Sequence, residues 1–316
     1  MPSLLHHLLF KIPVVGKKLR RWYDASVRLE QLNIGDFTSP IASNETIKEF
    51  ARIDLANRTP ITDAESQLPS IKLNLEGQKR LLDEFTEKEW ISANWINRYP
   101  VGNDFYQRLD AMMLHAMISR FRPAKIIEIG SGFSSLAILD SLEANQLLDT
   151  TVTLIEPNPE RLLAHLSASD RDRFHLLTRP LENKDLKRVE ELQGNDLLLV
   201  DSSHVYKVGS DVQRLFEVFY PALNPGVLLH IHDVFFPFDY PASWLRRGDH
   251  MNEAYVLRSF LQYNSEFEIL LWNDFVKHAS EITLPSGLDF GESDISTSIW
   301  LRRTHDAASQ AATSRL

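Results

Sequence analysis

Two short segments of this 316-residue chain gather side chains suited to proton transfer or metal binding at the ends of apolar runs. One is Asp201-Ser202-Ser203-His204, after the apolar run Asp196 to Val200; the other is His230-Ile231-His232-Asp233, closing the run Val227 to Ile231. If both runs are neighbouring strands of one sheet, these ends converge. Carboxylates and imidazoles gathered there cost desolvation energy unless they are paired, metal-bound or used. Two chemistries are open. In one, Asp201, Asp233 and His232 hold a divalent cation that binds a ligand hydroxyl and lowers its pKa. In the other there is no metal, and His204 or His232 takes the proton as general base, which suits an imidazole near neutral pH. One ring of His230-Ile231-His232 is read as an interior, hydrogen-bonded group, and His230 is the better candidate for that.

A second constellation lies upstream. The run Lys125 to Ile129 leads into Glu128-Ile129-Gly130-Ser131-Gly132-Phe133-Ser134-Ser135. Gly130 and Gly132 permit a tight turn and close approach of the backbone to a ligand, and the Ser134 and Ser135 hydroxyls can cap a following helix. A dinucleotide fingerprint would place a third glycine at position 135, where serine stands, so a cofactor without a pyrophosphate fits better. Glu156 ends the next apolar run, where an acid can accept hydrogen bonds from both ribose hydroxyls.

The elements that position these residues are legible from periodicity. Six strand-length runs, Lys125 to Ile129, Thr151 to Ile155, Phe174 to Thr178, Asp196 to Val200, Val227 to Ile231 and Phe267 to Trp272, are separated by helical candidates at 134–145, 159–167, 184–192, 208–220 and 252–262. Such alternation predicts a parallel sheet covered by helices. A seventh run, Thr297 to Leu301, has no expected helix before it and is read as the antiparallel partner of the sixth. The fold class is therefore α/β, a Rossmann-like doubly wound sheet of about seven strands with an antiparallel last strand and an N-terminal helical extension. Helices are expected at 22–32, 44–57, 76–98 and 109–120, and a connecting loop at 58–75. The expected domains are 1–104 as helical extension or lid, 105–303 as cofactor-binding domain and 304–316 as a flexible tail.

The series Glu128-Ile129-Gly130-Ser131-Gly132 followed by Glu156 resembles motifs one and two of class I S-adenosylmethionine-dependent methyltransferases, over about residues 105–302. That resemblance implies that Gly130 and Gly132 contact the amino-acid part of the cofactor and Glu156 its ribose. Glu128 then supports the loop or the cofactor's ammonium, and Ser134 and Asp201 join the cofactor site. After the third strand, Thr178 to Glu182 lacks the aspartate often found at the adenine, and no residue is assigned there. Asp201 with His204 is similar to the fourth-strand pair of catechol-type metal-dependent O-methyltransferases, while His232-Asp233 stands where those have an acid and an amide. The segment through Asn252-Glu253-Ala254-Tyr255 resembles a bacterial methyltransferase branch, the methyltransferase domain 24 type. The implied activity is O-methylation of a small molecule or glycan precursor, with Mg2+ or another divalent cation as an open cofactor. A nicotinamide-dependent oxidoreductase and a non-catalytic scaffold are the competing readings.

Composition narrows the partners. A formal charge of −9 provides no basic footprint for nucleic acid, and the lack of cysteine removes disulfides and thiolate chemistry, in keeping with a cytoplasmic setting. Residues 4–21 combine an apolar stretch with Lys17, Lys18, Arg20 and Arg21; it is too short to span a bilayer and is read as a helix packing on the main domain, with peripheral membrane contact as the alternative. Homodimerisation stays open. The aromatic run Asp233 to Trp244 is read either as a wall of an acceptor pocket or cover over the cofactor or as a loop packed against the N-terminal helices, and Trp90, Trp95, Tyr99, Phe105 and Tyr106 either as a lid or as core.

Overall fold

The computed structural model describes residues 39–88, 94–284 and 295–304, together with Lys18. The expected helix at 22–32, the rest of segment 4–21, Trp90 and tail residues 305–316 lie outside the described residues. The chain divides into two compact units. The first comprises residues up to Asn57 together with Tyr240–His250, and the second holds Arg58–Asp239 and the residues from Met251 onward. The sheet-bearing unit thus takes in residues well before position 105. In the first unit, Ile53 and Pro241 form a parallel bridge. There, Ser43 caps the helix Asn44–Phe50 by accepting from the Thr46 N–H.

The second unit is built on seven strands, β1 (Lys125–Ile129), β2 (Thr151–Ile155), β3 (Phe174–Leu177), β4 (Leu197–Val200), β5 (Leu228–Ile231), β6 (Phe267–Trp272) and β7 (Ile299–Arg303). Their order is β3-β2-β1-β4-β5-β7-β6. Strands β3 to β5 pair in parallel, and β7 pairs antiparallel with both β5 and β6. The expected antiparallel pair is present, and β7 sits between its partners. Strands β4 and β5 are buried along their whole length, as expected for continuous apolar runs covered on both faces. Register matters most for function: Ile129 lies opposite both Ile155 and Val200, and Val200 lies opposite Ile231. The residues that follow β1, β2, β4 and β5 therefore emerge level with one another. Strand order reverses between β1 and β4, which opens the crevice where such sheets bind ligands.

The longer helices of this unit are α1 (Leu75–Glu87), α2 (Arg108–Phe121), α3 (Phe133–Ala144) and α4 (Glu253–Leu261). Helix α2 is buried nearly all round, the pattern of a helix inside a large core rather than on its surface. Several boundaries differ from expectation. The helix expected over 76–98 ends at Glu87, and residues 94–98 form turns. There the N–H groups of Asn97, Arg98 and Tyr99 all donate to Asp140 Oδ2, at 2.9, 2.7 and 2.9 Å. A side chain of α3 satisfies the donors that a helix would have satisfied itself. The expected helix 159–167 is Glu160–Leu163, and Ser167 caps a separate helix, Ala168–Arg171. An unexpected helix, Asn273–His278, follows β6. Among the described residues no helix is long and apolar enough to cross a membrane.

Arg98 ties this corner together through ion pairs to Asp140 (3.0 Å), Glu143 (2.8 Å) and Asp170 (2.8 Å). The Asp140 side chain is fully buried, so removing its cation strands a charge. Arg98→Ala is expected to lower stability by about 3 kcal/mol, read as a lower urea midpoint at unchanged m-value. A midpoint matching the wild type would show that the three backbone donors alone satisfy Asp140.

The aromatic alternatives resolve toward packing. Phe235, Phe236 and Phe238 are buried, with Phe236 and Phe238 at 5.2 and 4.5 Å from the Trp272 ring. Trp95, Tyr99 and Tyr106 are buried as well, and Trp95 stacks on His115 of α2 at 4.6 Å. Phe105 alone of that described group is exposed.

Candidate functional site

The loop after β1 is shaped first by the protein itself. Gly130 has φ +82°, and a Cβ there would lie 1.9 Å from the main-chain oxygen of Asp201. Its N–H donates to Ile155 O at 3.0 Å, and the Asp201 N–H donates to Ile129 O at 2.8 Å. The close approach expected of Gly130 is therefore made to the neighbouring strand end. Gly132 differs: its φ is 175°, and a Cβ would meet only the Arg161 side chain, at 3.7 and 3.9 Å. Gly132 is the N-cap of α3, and the space beside it is open enough for a small side chain.

Glu128 is fully buried inside β1 and accepts from the Ser134 and Ser135 hydroxyls. Ser135 Oγ also accepts from the Gly132 N–H at 3.2 Å. The Ser134 hydroxyl, expected to cap the helix, is thus committed to Glu128, and that of Ser135 serves both. Burial pushes the Glu128 carboxyl up to about 8; the two serine hydrogen bonds oppose this, while the charges of Asp201 and Glu156 add to it. A buried acid held neutral at this position is ready to ionise when a cation arrives beside it.

Glu156 follows β2 directly and is half-buried. One carboxylate oxygen accepts from the Ser131 N–H at 3.0 Å and the other from the Asn158 N–H at 2.6 Å. The carboxylate is fixed in orientation, and each oxygen keeps a lone pair for a further donor. After β3, Arg179 forms a two-pronged pair with buried Asp185, at 2.7 and 2.6 Å.

The ends of β4 and β5 assemble the second half of the site. His204 Nε2 lies 3.3 Å from Asp201 Oδ1 and 3.5 Å from Asp233 Oδ2. Donor atoms of Asp201, His204 and Asp233 all fall within 4.8 Å of one another. His204, rather than the expected His232, is the imidazole that completes this three-donor group. His232 stands beside it, its Nδ1 3.5 Å from Asp201 Oδ1 and 3.6 Å from Asp233 Oδ1. That Nδ1 is buried and has no hydrogen-bond partner. His230 is fully buried, shares a 3.2 Å hydrogen bond with the Tyr106 hydroxyl, and is taken down to about 3 by burial. It is the interior, structural member of the pair.

Three residues behind the cluster escaped sequence reading. Glu253, buried on α4, holds His204 Nδ1 at 2.9 Å and accepts from Ser202 Oγ at 2.8 Å. Asp110, buried on α2, lies 3.7 Å from His232 Nε2. Burial would raise Asp110, but His232, Ser298 and Asn273 hold it at about 2. Thr297 donates to Asp233 Oδ1 at 3.1 Å and its hydroxyl lies 3.4 Å from His232 Nε2. The lone acid in the stretch 109–118, apolar apart from Asp110 and His115, was the available signal for Asp110. Glu253 carried none, since an acid opening a helix is ordinarily read as a dipole partner.

Electrostatics bind the cluster into one unit. Burial alone would lower both imidazoles, yet Asp201 and Glu253 carry His204 well above its ordinary value, and the charges of Asp233 and Asp201 do the same for His232. Burial would raise Asp201, but His232 and His204 hold it far below the usual carboxylate range. The acid pair demands positive charge, from imidazolium protons or from a cation. An imidazole with its far nitrogen on a carboxylate, facing two more carboxylates, is a donor set that fits a divalent metal.

A sheet of this order, with its antiparallel strand inserted next to the edge, a glycine loop after β1 and an acid after β2, defines a class I methyltransferase domain. Residues 127–234 match the family described as a methyltransferase domain, Methyltransf_24. An uncharacterised protein of Archaeoglobus fulgidus is 33% identical over 168 residues, covering 51% of this chain and 73% of its own length. The chain belongs to this family of S-adenosylmethionine-dependent methyltransferases. It is also similar to solved structures. The O-methyltransferase TomG from Streptomyces achromogenes, involved in tomaymycin synthesis and solved with S-adenosylmethionine, is 13% identical at TM-score 0.43, with 74% of this chain and 92% of that one covered. The methyltransferase PaMTH1 of Podospora anserina, bound to S-adenosylhomocysteine, is 16% identical at TM-score 0.41, with 79% and 92% covered.

Proposed function

We propose that this protein transfers the methyl group of S-adenosylmethionine to a hydroxyl oxygen of a small molecule or glycan precursor, assisted by a divalent cation. The observation that carries the reading is the level emergence, around one switch point, of the Glu128–Gly132 loop, Glu156 and the Asp201–His204–Asp233 group. Gly130 and Gly132 shape the cradle for the methionine portion, Glu128 faces its ammonium, and Glu156 offers its carboxylate to the ribose hydroxyls. Ser134 acts through Glu128. Asp201, His204 and Asp233 would hold the cation, whose Lewis acidity would lower the pKa of a nearby hydroxyl. His232 Nδ1 faces the same carboxylates; with their charge taken up by the cation, its imidazole would give up its own proton and serve as general base for the acceptor hydroxyl. The remaining requirement is alignment of the oxygen with the methyl–sulfur bond and exclusion of water. The setting is read as cytoplasmic.

Calorimetric titration of the full chain with S-adenosylmethionine and S-adenosylhomocysteine tests the cofactor assignment. Glu156→Ala is expected to weaken both ligands roughly 100-fold, the loss of two hydrogen bonds to a charged group. Unchanged affinity would remove the ribose assignment. Turnover on a hydroxylated acceptor lost in Asp201→Asn, with cofactor binding retained, separates catalysis from a scaffold role.

A further inference from the structure

The chemistry of the donor set points beyond the presence of a cation to its kind, and this step rests on the metal-assisted reading above. Mg2+ demands hard oxygen ligands and gives up water reluctantly. Imidazole nitrogen instead suits first-row transition ions. Bonds of about 2.0–2.1 Å place neighbouring donors roughly 3.0–3.4 Å apart, close to the 3.3 and 3.5 Å found from His204 Nε2 to the two carboxylates.

The orientation of the imidazole is fixed, with Nε2 toward the two carboxylates. Its Nδ1 is held at 2.9 Å by Glu253, which is itself 1% exposed and fixed by Ser202. The main-chain oxygen of His204 accepts from both Asn252 and Glu253 N–H groups, at 3.0 and 3.2 Å. Carboxylate, imidazole and facing acids form the arrangement that sets the tautomer of metal-binding histidines and raises their basicity. An independent observation points into the same space: His232 is 4% exposed in its side chain, and its buried Nδ1 has no hydrogen-bond partner while facing Asp201 and Asp233 at 3.5 and 3.6 Å.

We propose that this centre selects a transition ion of the Mn2+, Fe2+, Co2+ and Zn2+ class over Mg2+, with His204 Nε2 as the discriminating donor and Glu253 as its positioning residue. The full chain, stripped with chelator, is titrated separately with MgCl2, MnCl2 and CoCl2, without cofactor. Co2+ and Mn2+ are expected to bind at least about 100-fold more tightly than Mg2+. The Co2+-loaded protein should show a solvent-exchangeable, hyperfine-shifted imidazole N–H resonance from His204. His204→Asp, an all-oxygen set, should lose that resonance and narrow the preference to tenfold or less. Glu253→Gln should weaken Co2+ about 10- to 100-fold while leaving Mg2+ nearly unchanged. The second variant decides the matter if the first fails to fold by circular dichroism. Mg2+ binding as tightly as Co2+, an absent imidazole resonance, or a preference unaltered in both variants overturns the proposal. S-adenosylmethionine titration of the same preparation separates the two readings: cofactor binding without ion selectivity rejects this inference alone, and selective ion binding without cofactor rejects the methyltransferase assignment alone.

Discussion

Gly130→Ala is expected to unfold or strongly destabilise the protein, by about 3–5 kcal/mol, whereas Gly132→Ala leaves its melting temperature within about 1 °C of wild type. The two glycines are two residues apart in one loop, but opposite physics acts on them. At 130 an added Cβ meets a backbone oxygen at 1.9 Å, at φ +82°. Backbone cannot rotate away as the end of a side chain can, so β1 and β4 must part where Asp201 leaves the sheet. That displacement moves a member of the three-donor group, and cofactor and metal binding should fail together with stability. At 132 the new methyl group meets only the Arg161 side chain, at 3.7 and 3.9 Å, ordinary contacts. Any loss of S-adenosylmethionine affinity in Gly132→Ala therefore reports the ligand alone. A loss of tenfold or more is expected in calorimetry, about 1.4 kcal/mol. Wild-type affinity in this variant would show that the loop does not approach the cofactor at 132. A Gly130→Ala protein as stable as wild type would contradict the tight β1–β4 contact.

The second large effect concerns pH. Glu128 titrates at about 8 in the folded chain against an ordinary 4.5, so the folded state holds a proton that the unfolded state has already released. The stability associated with this group is fully present below about pH 4.5 and is lost as pH rises toward 8, with little further change above it. The full span corresponds to about 5 kcal/mol. Glu128→Gln keeps the size of the side chain and cannot ionise. Chelator-treated Glu128→Gln should therefore be more stable than wild type at pH 9 by a few kcal/mol, and nearly equal to it at pH 5. Affinity for S-adenosylmethionine should move the other way at pH 8, falling about 10- to 100-fold because a charge-assisted hydrogen bond to the ammonium is missing. Urea denaturation at both pH values, with calorimetry at pH 8, reads the two effects. Parallel stability-versus-pH curves for the two proteins would rule out Glu128 as the titrating group. A more stable but weaker-binding variant would mark Glu128 as a residue kept for function at the expense of stability.

The sheet was legible because its evidence is local. Runs such as Leu197–Val200 are apolar throughout, and an apolar run of strand length between helical stretches has few other solutions. The glycine loop, Glu156, Asp201, His204, His232 and Asp233 were likewise visible, since each follows or closes such a run. Helix ends were less so. The expected helix over 76–98 stops at Glu87, and the turn at residues 94–98 owes its donors to Asp140, some forty residues away. Propensity contains no record of an acceptor that arrives only when α3 packs.

By itself, then, the sequence determined the α/β class, the positions of the strand ends and the inventory of reactive groups placed there, because strand periodicity and turn chemistry are properties of neighbouring residues. Only the tertiary structure decided how those groups divide their work. It set β7 between β5 and β6, gave His204 to Glu253 and His232 to the side of Asp110, and left His230 against Tyr106. The reason is physical. What a buried imidazole or carboxylate does depends on which partner shares its desolvated surroundings, and those partners come from helices distant in sequence that meet only when the core closes.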